Sequence, residues 1–172
     1  TAGGLGLWES VKSLGREMLA GPVALKVNES DVLEGNGKVV SAEGHEVVYE
    51  GAAGHPAVKA RTRCTTEYDG CVKVELDLEP GSEKQELESL WLDIPLRDDQ
   101  APLWHVTTTA LRFNPVGKTP EGDGKIWDTR DFPDGEWPTG FRPYLWLGAE
   151  QRGICWFADN YKGWVVDVDP KQ

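Results

Sequence analysis

Hydrophobic and polar positions alternate with a period of two along much of this chain. The clearest run is residues 71–79, where Val72, Val74, Leu76 and Leu78 alternate with Lys73, Glu75, Asp77 and Glu79. That pattern predicts a strand with one buried and one solvated face. It follows Tyr68-Asp69-Gly70, a strong hairpin turn signal. The run before it, 57–66, alternates Val58, Ala60 and Thr62 with Lys59, Arg61 and Arg63, and is the expected partner strand. The three basic residues would then lie beside the acidic outer face of the next strand, in exposed pairs worth about 0.2–1 kcal/mol each. With Asp69 and Gly70 as the central turn residues, Tyr68 faces Cys71 and Cys64 faces Glu75.

Further strands are expected at 87–97, with Leu90, Leu92, Ile94 and Leu96 on one face and Trp91 on the other, and at 103–111, a run rich in β-branched residues. Shorter ones at 23–27, 38–41 and 46–50 are separated by turns rich in Asn, Gly and Glu. Many short strands with regular turn signals point to an all-β fold, an antiparallel β-sandwich or barrel. The N-terminal segment reads two ways. Leu7, Val11, Leu14 and Met18 have helical spacing, although Gly15 inside that run costs a helix about 1 kcal/mol relative to Ala. The alternative is a strand at 10–12, a turn at Leu14-Gly15 and a strand from Glu17 onward; periodicity alone slightly favours the helix.

One segment departs from the alternation. Residues 142–164 form two aromatic-rich apolar runs around a polar Gly148–Gly153 turn, which predicts a hairpin. Tyr144 and Trp146 point one way and Leu145 and Leu147 the other; Ile154 and Trp156 oppose Cys155 and Phe157. A strand with one face in water should alternate apolar and polar. Here both faces are apolar, so both call for a cover: one a second sheet, the other a partner, a ligand or a further domain. Before the hairpin, residues 112–142 carry several prolines, glycines and aspartates, with only Lys125-Ile126-Trp127 strand-like. Loops this long are usually functional or disordered, and Trp127, Phe132, Trp137 and Phe141 argue that this one packs on something. No repeat or linker divides the chain, so a single β-sandwich domain over residues 1–172 is expected.

Composition narrows the partners. A chain of 172 residues can build a real core. A net charge of -11 argues against nucleic acid and anionic membranes, which attract basic surfaces; it suits neutral sugars, cations or basic partners, or simply solubility. No apolar run is long enough for a transmembrane helix and no leader is visible. The start at Thr1 rather than Met suggests a processed or excised segment, and an extracellular or periplasmic location is the expectation. Cys64, Cys71 and Cys155 lack metal-ligand spacing, and three free thiols are expected.

Candidate chemistry is sparse. There is no Gly-x-Ser-x-Gly elbow and no phosphate-cradling loop, and His45, His55 and His105 stand in unrelated contexts. Nothing in the spacing supports a zinc site, and no cofactor is implied. Carboxylates in the aromatic-rich part (Asp123, Asp128, Asp131, Asp134, Glu136 and Asp159) could supply a paired-acid site, but Asp in such stretches ordinarily serves turns and solvation. The tryptophans say more. There are eight, seven of them after residue 90. A flat indole beside polar groups suits the C–H face of a sugar, and Trp104, Trp127 and Trp137 could form such a surface. Their ordinary role would be to fill a core or an interdomain face.

Several stretches together resemble a known family. Trp146-Leu-Gly148, Arg152-Gly-Ile-Cys-Trp-Phe-Ala-Asp-Asn160 and Gly163-Trp164 look like a signature of bacterial glycoside-hydrolase-like proteins related to glycoside hydrolase family 123. Gly15-Arg-Glu-Met-Leu-Ala-Gly-Pro22, Tyr68-Asp-Gly70, Leu92-Asp-Ile-Pro-Leu96 and Gly122-Asp-Gly-Lys-Ile-Trp127 match in order, so the resemblance spans most of the chain. It favours strands at the N-terminus. It implies an antiparallel β-sandwich, with the galactose-mutarotase-like supersandwich one form this can take, followed by a (β/α)8 catalytic barrel. In family 123 the catalytic residues are an adjacent Asp-Glu pair on that barrel. This chain has no Asp-Glu dipeptide and no βα pattern, so no catalytic residue carries over. The expectation is a non-catalytic, secreted accessory domain: Trp146, Trp156 and Trp164 at an interface with the barrel, and Trp104, Trp127, Trp137, Asp128, Asp159 and Asn160 as sugar-contacting candidates. A self-standing carbohydrate-binding module and a self-associating surface or fibre protein are the alternatives.

Overall fold

A computed structural model describes residues 2–28, 31–83, 85–107, 116–122 and 144–160. The chain is all-β, and among the described residues every strand pairing is antiparallel and no α-helix occurs. It divides into two compact units, Thr1–Leu96 and Arg97–Gln172.

The first unit opens with a small hairpin, β1 (Lys12–Ser13) and β2 (Arg16–Glu17), not a helix. The turn between them is made by Leu14 and Gly15, both at positive φ, 50° and 76°. Two consecutive left-handed residues are the signature of a type I′ turn, whose twist matches the strands it joins. Glu17 secures the hairpin: its carboxylate accepts from Ser10 Oγ at 2.5 Å and from the backbone N–H groups of Val11 (2.9 Å) and Leu19 (3.2 Å).

Two sheets follow. A three-stranded sheet has the order β4-β3-β9, from β3 (Ala24–Val27), β4 (Asp31–Val32) and β9 (Leu90–Asp93). Leu25 and Val27 are buried while Ala24 and Lys26 face outward, the alternation expected of a half-buried strand. The larger sheet is a meander in sequence order: β5 (Gly35–Ala42), β6 (Glu46–Gly54), β7 (Val58–Glu67) and β8 (Val72–Pro80). Strand β7 buries Val58, Ala60, Thr62 and Cys64 and exposes Lys59, Arg61 and Arg63, as its sequence predicts. On that outer face Arg61 pairs with Glu79 at 2.8 Å, Arg63 with Glu50, and Lys73 with Glu75 at 2.8 Å.

The cover on the inner face is the N-terminal segment. Thr62 Oγ1 donates to the Leu5 carbonyl at 2.5 Å. A Cβ on Gly51 would lie 2.7 Å from the Leu5 Cα, so the segment crosses the sheet at backbone contact and only Gly fits beneath it.

Two sequence expectations are corrected here. The turn after β7 has three residues, Tyr68-Asp69-Gly70, with Gly70 at φ 91° and the Glu67 N–H donating to the Cys71 carbonyl. Glu67 therefore faces Cys71, and Cys64 faces Val74 rather than Glu75. The apolar row of β8 is not buried: Val74, Leu76 and Leu78 are 45%, 40% and 45% exposed. Period-two alternation reports an amphipathic strand, not what covers it. The contacts of the N-terminal cover fall on the glycines of β5 and β6 and on Thr62 and Cys64 of β7, leaving the edge strand β8 outside them.

Candidate functional site

The second unit carries the hairpin on which the functional reading rests. It is a four-stranded sheet in the order β11-β10-β12-β13, built from β10 (Leu103–Val106), β11 (Val116–Lys118), β12 (Tyr144–Ala149) and β13 (Arg152–Phe157). The register pairs Leu145 with Trp156, Trp146 with Cys155 and Leu147 with Ile154; on the other side of β12, Trp104 faces Leu147 and His105 faces Trp146. Because neighbours across a ladder share a face, two surfaces follow. One holds Trp104, Val106, Leu145, Leu147, Ile154 and Trp156. The other holds His105, Tyr144, Trp146, Cys155 and Phe157. The two apolar faces expected of the hairpin are thus real, and Trp146 and Trp156 lie on opposite ones.

The first surface is a core. Trp104 is 8% exposed and Val106 fully buried, with Leu145 and Leu147 packed against them. The indole of Trp104 lies over its cross-strand partner Gly117, where an added Cβ would come within 2.8 Å of Cε2. Its Nε1–H donates to the Lys118 carbonyl at 3.2 Å. This satisfies the one polar atom of a buried Trp and commits the ring to packing.

The second surface mixes aromatic rings with titratable groups. Gly148 and Gly153 face each other across the hairpin, and the Trp146 indole lies along that pair: a Cβ on Gly153 would sit 2.5 Å from Cε2. His105 meets Tyr144 edge to face, with ring centroids 5.9 Å apart. The Tyr144 hydroxyl donates to Cys155, which, followed by burial, raises the Tyr144 pKa. Burial raises that of Cys155, opposed by the same hydrogen bond. The Cys155 thiol in turn donates to the Trp156 carbonyl at 3.7 Å. A thiol held protonated by burial is a packing group, not an activated nucleophile.

A polar cluster precedes β10. Asp99 accepts from Gln100 Nε2 at 2.9 Å and from Arg97 Nε at 3.2 Å, and these two, Gln100 first, hold its carboxyl below the usual range. Gln100, nearly fully buried, accepts from Arg152 at 3.4 Å. Asp159 and Asn160 are exposed just beyond β13. Trp127, Asp128, Trp137 and Trp164 lie outside the described residues. Among the described residues no group of three or more His, Cys, Asp or Glu side chains could hold a metal ion, and no helix is long and apolar enough to cross a membrane.

The sequence reading missed the His105–Tyr144–Cys155 grouping. His105 was visible beside Trp104, but its partners depend on a β10–β12 register that spans residues 107–143. Compared with known proteins, the chain matches no family model, no curated protein and no solved structure.

Proposed function

We propose that this chain is a non-catalytic β-sandwich module of a carbohydrate-active glycoside hydrolase, and that it packs against a catalytic barrel encoded outside this sequence. The observation that carries the reading is the second apolar face of the β12–β13 hairpin. With the opposite face spent on the core around Trp104, the face of Tyr144, Trp146, Cys155 and Phe157 still carries three aromatic rings, and Phe157 is 54% exposed. An aromatic side chain buries about 150–250 Å², so covering the exposed half of Phe157 alone is worth about 2–3 kcal/mol at about 25 cal/mol per Å², and the half-buried Tyr144 and Trp146 add to it. A barrel surface is a cover of that kind. The residues of the hairpin are also those that carry the resemblance to glycoside-hydrolase-like proteins, and the protonated Cys155 thiol is consistent with a supporting rather than a catalytic part.

In this arrangement Trp146 belongs to the interface, Trp156 supports it from the other side of the sheet, and exposed Asp159 and Asn160 stand at the rim, where a neighbouring sugar site could be reached. The test compares amide hydrogen exchange over residues 144–157 in this chain alone and in a polypeptide extended through the flanking coding sequence. Protection should rise in the longer protein, and Trp146→Ser should cancel the rise. A flanking sequence without a barrel, or identical exchange in the two proteins, refutes the proposal.

A further inference from the structure

We propose a saccharide platform on the outer face of the β4-β3-β9 sheet, formed by Trp91, Lys26, Val32 and Asp93. It lies in the first unit, whereas the hairpin belongs to the second, and it does not depend on the glycoside-hydrolase reading. On the core side of this sheet Leu25 and Val27 are buried, and of its apolar residues only Leu92, at the β9 edge beside Leu25, is exposed (48%). The outer side should therefore be polar. Instead Trp91 stands on it at 56% exposure, and Val32 at 51%. Trp91 pairs directly with Lys26, and Lys26 with Val32, so the three form one row across the sheet. Strands are spaced about 4.8 Å apart, which makes the row about 10 Å long, close to two pyranose rings.

The polar groups beside the row select the ligand. Lys26 Nζ is 2.5 Å from the Asp93 carboxylate, and both side chains keep about a third or more of their surface in water (33% and 40%). The pair offers ammonium donors and carboxylate acceptors at the edge of a flat apolar strip, with no net charge between them. Anions find no free cation there, and the chain's net charge of -11 repels them further. A neutral sugar fits: its C–H face stacks on the indole and on the Val32 methyls, while its hydroxyls accept from Lys26 and donate to Asp93.

The probes are cellotetraose, xylotetraose, maltotetraose and triacetylchitotriose, titrated into the full chain at millimolar concentration by calorimetry and tryptophan emission. At least one should bind saturably and perturb the emission. Trp91→Ala should weaken that binding about tenfold or more, and Lys26→Ala and Asp93→Ala should each weaken it, with circular dichroism unchanged because all three side chains are partly or largely exposed. Tyr68→Ala, which removes an exposed ring in the β7–β8 turn of the other sheet (84% exposed), should bind as the parent does. The proposal is overturned if no probe binds, if Trp91→Ala binds undiminished, if Tyr68→Ala loses binding equally, or if light scattering shows that Trp91→Ala dissociates an oligomer, which would make the ring a protein contact.

Discussion

Thr62 tests how the N-terminal cover is held to the meander. Its side chain is 5% exposed, and its hydroxyl is the short donor to the Leu5 carbonyl. Thr62→Val keeps the volume and the β-branched shape but removes the donor. The Leu5 carbonyl is then left with the Cys64 thiol at 3.8 Å, a weak donor at a long distance. A buried acceptor deprived of its partner costs about 1–3 kcal/mol, and Val gains only a few tenths of a kcal/mol from its strand preference. A net loss of about 1–2 kcal/mol is expected. Urea unfolding reads it as a lower midpoint at unchanged slope, and Thr62→Ser, which retains the hydroxyl, should unfold later than Thr62→Val. Amides of residues 5–7 should exchange faster in Thr62→Val as the cover loosens. If Thr62→Val is as stable as the parent, or Thr62→Ser is the weaker of the two, the Leu5 carbonyl is not held by this hydroxyl and the account of the cover fails.

Two further outcomes follow from the shifted groups. The Glu17 carboxyl is lowered to about 2, first by the Ser10 hydroxyl and then by the Val11 amide; its contribution is present above the ordinary carboxylate pKa of 4.5 and is lost as pH falls toward 2. Urea midpoints between those limits should therefore drop less steeply in Glu17→Gln than in the parent, and parallel profiles would show that Glu17 is not the group responsible. Alkylation of Cys155 by iodoacetamide, followed by mass, should require pH above that of an ordinary thiol; Tyr144→Phe removes the hydrogen bond that opposes burial and should move the profile higher still, whereas a shift to lower pH would contradict the assigned donor.

What could be read from the sequence was whatever local chemistry determines. Strand β7 and its pairing to β8 were legible because a period of two and a Tyr-Asp-Gly turn both lie within a few residues. The β1–β2 hairpin was legible only as the second of two readings, with its turn correctly at Leu14-Gly15, because Leu7, Val11, Leu14 and Met18 fall at helical spacing by coincidence, and a left-handed Leu14 is a conformation that side chains rarely adopt. The turn after β7 was found but misregistered by one position, since a two-residue and a three-residue loop read almost alike when Gly70 ends both. Trp91 was correctly set opposite the Leu90 and Leu92 side of its strand, but its meaning depended on Lys26 and Val32, more than fifty residues earlier in the chain. Trp104 looked like a sugar-stacking candidate until its cross-strand glycine and its bond to Lys118 put it in the core.

The meander order has a consequence for how the chain acquires its structure. Strands β5 to β8 pair in the order in which they are synthesised, through connections of three or four residues, so every closure is short. In the second unit, β10 must find β12 across residues 107–143, thirty-seven positions away. Closing that span costs about 2 kcal/mol more than closing a three-residue turn. During translation the meander can therefore assemble once residue 80 has left the ribosome, while β10, which has β11 close by in sequence, waits for its second partner β12. Pulse-labelled exchange during refolding should find the amides of β6 and β7 protected first and those that bond across the β10–β12 ladder last.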